Sequence, residues 1–233
     1  MPSHYSDMGF SVAGANDLKR IMKELPEAAC KIETSEGYYN YCVADGCIEF
    51  WVHYNTDDEM MSLDFHYNNN HAVPVRMVRW LEYAEQMQSS TIKVSYPREE
   101  TLFPIIADVA NADMHREIMR GDDLMLQVSC FAETMSLLYA SDTGYTKENC
   151  FVPAGSFEDN GTTSVPANAM ICGTVIDHKK CQNSIDGGLY YVITIRCHDA
   201  LLDVIADAEF VTKEPIKGSI VKGTFWLSGK IMR

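Results

Sequence analysis

The sequence predicts an α+β fold that is mainly β: an antiparallel sheet domain with one early helix, followed by a small OB-like β-barrel. Three observations predict it. One early segment repeats its apolar residues at helical spacing, most of the rest alternates with period two, and the last third places glycines inside its alternating stretches. The expected division is an acidic sheet domain over 1–152, a linker over 153–167 and the barrel over 168–233.

The helix lies in "GFSVAGANDLKRIMKELPEAA", after a short strand at its start. Asn16 or Asp17 can cap it, Leu18, Ile21, Met22 and Leu25 recur at helical spacing, and Pro26 stands near its end. From Ala29 the period changes to two. "YYNYCVADG" and "CIEFWVHYN" flank Asp45-Gly46, a two-residue hairpin signal, and "MSLDFHYN" adds a third strand to the meander. Ile48, Phe50, Val52 and Tyr54, with Met61, Leu63, Phe65 and Tyr67, form the expected inner face. "VPVRMVRWLEYAEQMQ" reads as helix or strand, with its neighbours favouring a strand over Val75–Trp80. "TIKVSYP" is a strand, "NADMHREIMRGDD" a short helical turn, and "LMLQVSCFAETMSLLYAS" a bent strand or a strand pair. No internal repeat is evident.

Residues 153–167, "PAGSFEDNGTTSVPA", are rich in Pro, Gly, Ser and Thr, and the charge balance changes across them. Residues 166–233 hold eight Lys/Arg and seven Asp/Glu, against eleven and 26 in residues 1–165. Beyond the linker, "MICGTVIDH", "LYYVITIRC", "LLDVIADAEF" and a closing strand ending in "GTFWLSGKIMR" suit a small closed barrel, OB-like first and SH3-like second. Gly173, Gly223 and Gly229 sit where coiled strands bend, while Val221, Phe225, Leu227 and Ile231 fill the interior. Trp226 then points outward between Lys222 and Lys230, as an interface or binding residue. Packing against an adjacent domain or subunit is the first reading of it. A partner molecule and single-stranded nucleic acid are the others.

The "GF" followed by a capped helix, "FAETMSLLYAS", "FVPAGSF" and "DVIAD…PIKGSIVKGTFWLSGKI" resemble a bacterial protein family of unassigned function with a C-terminal OB-like barrel. The resemblance implies a two-part bacterial cytosolic protein and carries no chemistry.

Chemistry has one candidate locus. Opposite the apolar stripe of the meander stand Glu49, Trp51 and His53 on one strand and Ser62, Asp64 and His66 on the next. With the hairpin centred near Asp57-Asp58, Glu49 faces His66 and Trp51 faces Asp64. Glu49, His53, Asp64 and His66 are therefore the catalytic candidates, for acid–base work or a divalent metal, against the plain alternative of a water-facing sheet surface. Cys172, His178, Cys181, Cys197 and His198 fall short of a zinc set, because adjacent strand residues point apart. No P-loop, G-x-S-x-G or G-x-G-x-x-G is present, and neither a metal nor a cofactor is expected. The net charge of −14 opposes nucleic acid and favours a protein partner, a basic one, or self-association. The start lacks a secretory pattern, no apolar run could cross a bilayer, and no cysteine pair shows CxxC spacing, so a cytoplasmic protein with thiols is expected. The expected function is a non-enzymatic binding or accessory protein. An enzyme using the Glu49/His53/Asp64/His66 face and a nucleic-acid-binding barrel are the alternatives.

Overall fold

The computed structural model describes residues 4–24, 30–81, 90–95, 104–142, 149–154 and 165–232. Near the N-terminus a 3-10 turn, Ser6–Met8, precedes helix α1 (Ala15–Glu24). Asp17 lies in the first turn of α1, and its carboxylate accepts the Ala13 and Gly14 amides at 2.9 and 3.1 Å. Arg20 of α1 reaches Asp186 at 2.6 Å and ties the helix to the body. The strand expected at "GFSVA" does not form. Phe10 is buried in a non-strand stretch, and Gly9 at φ 74° passes so close to Gly188 that a Cβ there would collide with its carbonyl.

Four antiparallel strands follow: β1 (Cys30–Thr34), β2 (Gly37–Ala44), β3 (Ile48–Asn55) and β4 (Met60–Tyr67). The meander thus has one strand more than the three expected. The β2–β3 hairpin has three loop residues, since Ala44 opposes Ile48, with Asp45 and Gly46 both at positive φ. The register of β3 and β4 is the expected one: Glu49 opposes His66 and Trp51 opposes Asp64.

The other nine strands form one sheet that closes on itself twice. They are β5 (Ala72–Trp80), β6 (Thr91–Ser95), β7 (Pro104–Val109), β8 (Asp123–Leu138), β9 (Cys150–Pro153), β10 (Asn168–Gln182), β11 (Leu189–Cys197), β12 (Ala200–Asp207) and β13 (Ile220–Met232). The pairings β5–β6–β7–β13–β8–β5 close one five-stranded barrel. The pairings β10–β11–β12–β8–β13–β10 close a second. Both barrels use the long antiparallel ladder between β8 and β13, and each also contains one parallel pair, β7–β13 or β12–β8. The strand order of the first is 1-2-3-5-4, with strands three and five parallel, an OB-like arrangement. By equivalent place around the ring, and not by chain order, β8 takes the fourth-strand position of the first barrel and the fifth-strand position of the second, while β13 holds the reverse positions.

Two features of the sequence reading change here. The segment 168–233 does not close a barrel from its own strands: β8, from residues 123–138, supplies the fifth. The sheet thus runs across the expected division at 153–167, most of which, residues 155–164, lies outside the described residues. The fold is also internally repeated. Each half reads as a three-strand meander, a 3-10 turn (Ala112–His115 or Ala208–Phe210) and a long strand given to both barrels. The repeat is one of strand order, which residue identity does not record.

Val221, Phe225, Leu227 and Ile231 are buried in one apolar cluster that runs through both barrels, with Val75, Ile92 and Ile105 from the first and Ile171, Ile193 and Val204 from the second. Gly223 lies against Thr134 of β8, beside a bulge at Thr224/Phe225; a Cβ would fall on the Thr134 carbonyl. The ambiguous stretch is a strand through Trp80, and residues 82–89 lie outside the described residues. Of the bent strand or strand pair expected at 124–141, the single strand forms, as β8, and β10 extends through the "KKCQ" expected in a loop. Among the described residues no helix is long and apolar enough to cross a membrane.

Candidate functional site

The candidate face of the meander is not turned to water. Glu49 and His66 are fully buried, because the four-stranded sheet packs along β4 against β13. On one face Phe65 meets Phe131 and Trp226, each with ring centres 5.2 Å apart. On the other, the polar side chains meet barrel residues one by one.

Glu49 is the most enclosed of them. Its Oε1 accepts from Lys230 Nζ at 2.6 Å and from Tyr41 Oη at 3.0 Å, and its Oε2 accepts from Trp51 Nε1 at 3.1 Å. Three donors thus replace the water that burial removed, and one of them carries the opposite charge. Burial and the adjacent Glu49 carboxylate push the Tyr41 hydroxyl upward, so it remains a donor.

His66 Nδ1 lies 3.1 Å from Ser228 Oγ, which itself donates to the Phe65 carbonyl at 2.8 Å. With the serine proton spent there, Nδ1 carries the hydrogen. Burial first and the Lys230 charge second hold this imidazole down to about 3, so it is neutral across the physiological range.

His53 faces a different barrel residue. Its Nε2 is 3.2 Å from Asp113 Oδ2, and Asp113 also accepts Arg116 Nε at 2.8 Å and Tyr39 Oη at 3.1 Å. Asp64, half-buried, accepts Ser62 Oγ at 2.7 Å. Burial chiefly, with Asp108 and Asp113 adding negative potential, raises its carboxyl to about 6. Glu49, His53, Asp64 and His66 therefore share a sheet face but serve separate partners. Among the described residues no three His, Cys, Asp or Glu side chains converge as metal ligands. As arranged, Glu49, His53 and His66 hold the meander onto the barrels, while Asp64 bonds within its own strand.

Trp226 lies on the outer side of the shared ladder. His4 stacks on its ring at 5.0 Å and 16°, Phe131 covers it at 5.3 Å, and its Nε1 donates to Asp108 Oδ2 at 2.7 Å. The same Asp108 accepts the Thr91 hydroxyl. The indole is thus partly covered by the chain's own N-terminal segment, meander and first barrel. Its two neighbouring lysines part company: Lys222 is exposed, while Lys230 is committed to Glu49.

Two concavities involve residues the sequence reading did not select. A polar cleft of about 430 Å³ lies between the meander and the second barrel, lined by Asn70, His71, His178, Lys179, Thr194 and Asp203 among others. A more apolar groove of about 650 Å³ runs along the first barrel, lined by Pro74, Ile118, Leu124, Met125, Ile231 and Met232, with Arg76, Glu117 and Asp123 among its polar residues. The carboxylates in "IIADVANAD" carried a signal for the seam, since an aspartate within an apolar strand must find a donor. The groove carried none, because its walls come from β5, β8, β13 and the 115–118 stretch before β8. Compared with family models, with curated proteins and with solved structures, the chain shows no significant match.

Proposed function

We propose that the chain is a non-enzymatic binding protein acting through protein contacts, and that a basic, amphipathic segment of its partner lies in the groove of the first barrel. The apolar exposure there carries this reading. Met125 in the groove is 41 % exposed, and Met119, one residue beyond the lining residue Ile118, is 72 % exposed. Methionines left in water on a concave surface suit an adaptable docking site, because thioethers repack around varied apolar side chains at little cost. The net charge of −14 selects a basic partner and speeds its approach. The Trp226 ring, stacked by His4 and bonded to Asp108, and the engaged Lys230 favour a protein over a nucleic acid, which needs an open aromatic in a basic groove.

The test compares the full chain with its Met119→Glu/Met125→Glu variant as baits, with retained proteins quantified at low and high salt. A basic protein is expected to be retained by the native bait, to drop about tenfold or more on the variant, and to weaken with salt. Equal retention by both baits, or loss only of acidic proteins, overturns the reading.

A further inference from the structure

All eight cysteines are thiols, and two of them stand directly opposite one another. Cys150 of β9 is the register partner of Cys172 of β10 in an antiparallel ladder. Their sequence neighbours Phe151 and Ile171, also register partners, belong to the interior cluster, so Cys150 and Cys172 share the outer face. The Ala154 amide donates to the Asn168 carbonyl at 2.7 Å, which sets the alternation of the ladder and makes Cys150/Cys172 a hydrogen-bonded pair. Such pairs hold their Cα atoms about 5.5 Å apart, inside the roughly 4.4–6.8 Å range that a disulfide spans. Opposed Cβ atoms in such a pair lie about 4.5–5.5 Å apart against roughly 3.5–4.5 Å in a disulfide, so the bond draws the four-residue edge strand β9 about 1 Å toward β10.

We propose that Cys150 and Cys172 form a reversible dithiol–disulfide site that fastens the edge strand β9 to the second barrel. The oxidant class is a low-molecular-weight disulfide, such as oxidised glutathione. The Cys150 thiolate, from the half-buried and more accessible residue, attacks one sulfur of the oxidant and expels one glutathione thiolate. The Cys172 sulfur, 6 % exposed as a residue, then attacks the Cys150 sulfur of the mixed disulfide and expels the second. Two protein S–H bonds and one small-molecule S–S bond become one protein S–S bond and two glutathione thiols, each taking up one of the two protons. Cys197 lies close, its Sγ donating to the Cys150 carbonyl at 3.3 Å, but it belongs to the interior cluster and its burial holds it protonated.

The full chain is incubated with mixtures of reduced and oxidised glutathione, remaining thiols are alkylated, and mass and cross-linked peptides are measured. The expected result is loss of two alkylation sites, a Cys150–Cys172 peptide and full reversal by reduced glutathione. Cys197→Ser should retain this cross-link, whereas Cys150→Ser and Cys172→Ser should each abolish it. An unchanged thiol count in the native chain, a bridge to Cys197, or glutathione remaining on Cys150 without a cross-link each overturns the proposal. The native-chain measurement decides even if a variant fails to fold.

Discussion

Around Glu49, three donors surround a carboxylate that has no access to water, and only Lys230 brings a compensating charge. Lys230→Ala should therefore destabilise the chain by about 3–5 kcal/mol, since a buried charge is left without its counter-ion. Replacing both, as Glu49→Gln with Lys230→Met, should lie within about 2 kcal/mol of the native chain by urea denaturation, because no charge is stranded. A small loss for Lys230→Ala alone would show that water reaches Glu49. Asp64 gives the opposite sign. Its folded carboxyl titrates near 6, above its ordinary 3.8, so its contribution is fully present below pH 3.8 and is lost as pH rises through 6. Asp64→Asn keeps an acceptor for Ser62 and removes that loss. It should stabilise the chain by about 1–2 kcal/mol at pH 8 and by no more than about 0.5 kcal/mol at pH 4, read as midpoints at the two values. An equal gain at both would assign the effect to packing instead.

At the scale of single elements, legibility followed how local the determining contacts were. The β3–β4 register could be read because a one-residue slip would carry Phe50 and Phe65 to the polar face, and the Asp57-Asp58 region marks the turn. The strand at Val75–Trp80 could be read from its neighbours. By contrast, the unbroken run of β8 and the extension of β10 through two lysines depend on partners far along the chain; Thr134 and Thr224, which bond across the ladder, are 90 residues apart. The parallel pairs β7–β13 and β12–β8 have no turn between them to announce them. The candidate face shows the same limit. That Glu49, His53, Asp64 and His66 lie together on one face follows from period two, but their burial follows from Lys230, Ser228 and Asp113, which no local pattern links to them.

For the whole molecule, the double use of β8 and β13 removes any cut that leaves a complete barrel on each side. A chain of residues 168–233 keeps β10 to β13 and lacks the strand between β12 and β13, so it should show no cooperative unfolding transition, whereas the full chain should unfold in one step. Adding a separate chain of residues 1–152 should restore that transition if the ladder is the determining contact. A cooperative transition in 168–233 alone would show that its four strands close without β8. The ladder also constrains the order of assembly during synthesis. β5 to β8 leave the ribosome with the β8 edge that β13 will cover still bare, and they stay so until residues 220–232 emerge. For that interval the nascent protein presents a 16-residue strand bearing Phe131 and Val128 to any other unfinished chain, so its yield in a cell depends on translation outpacing misassociation.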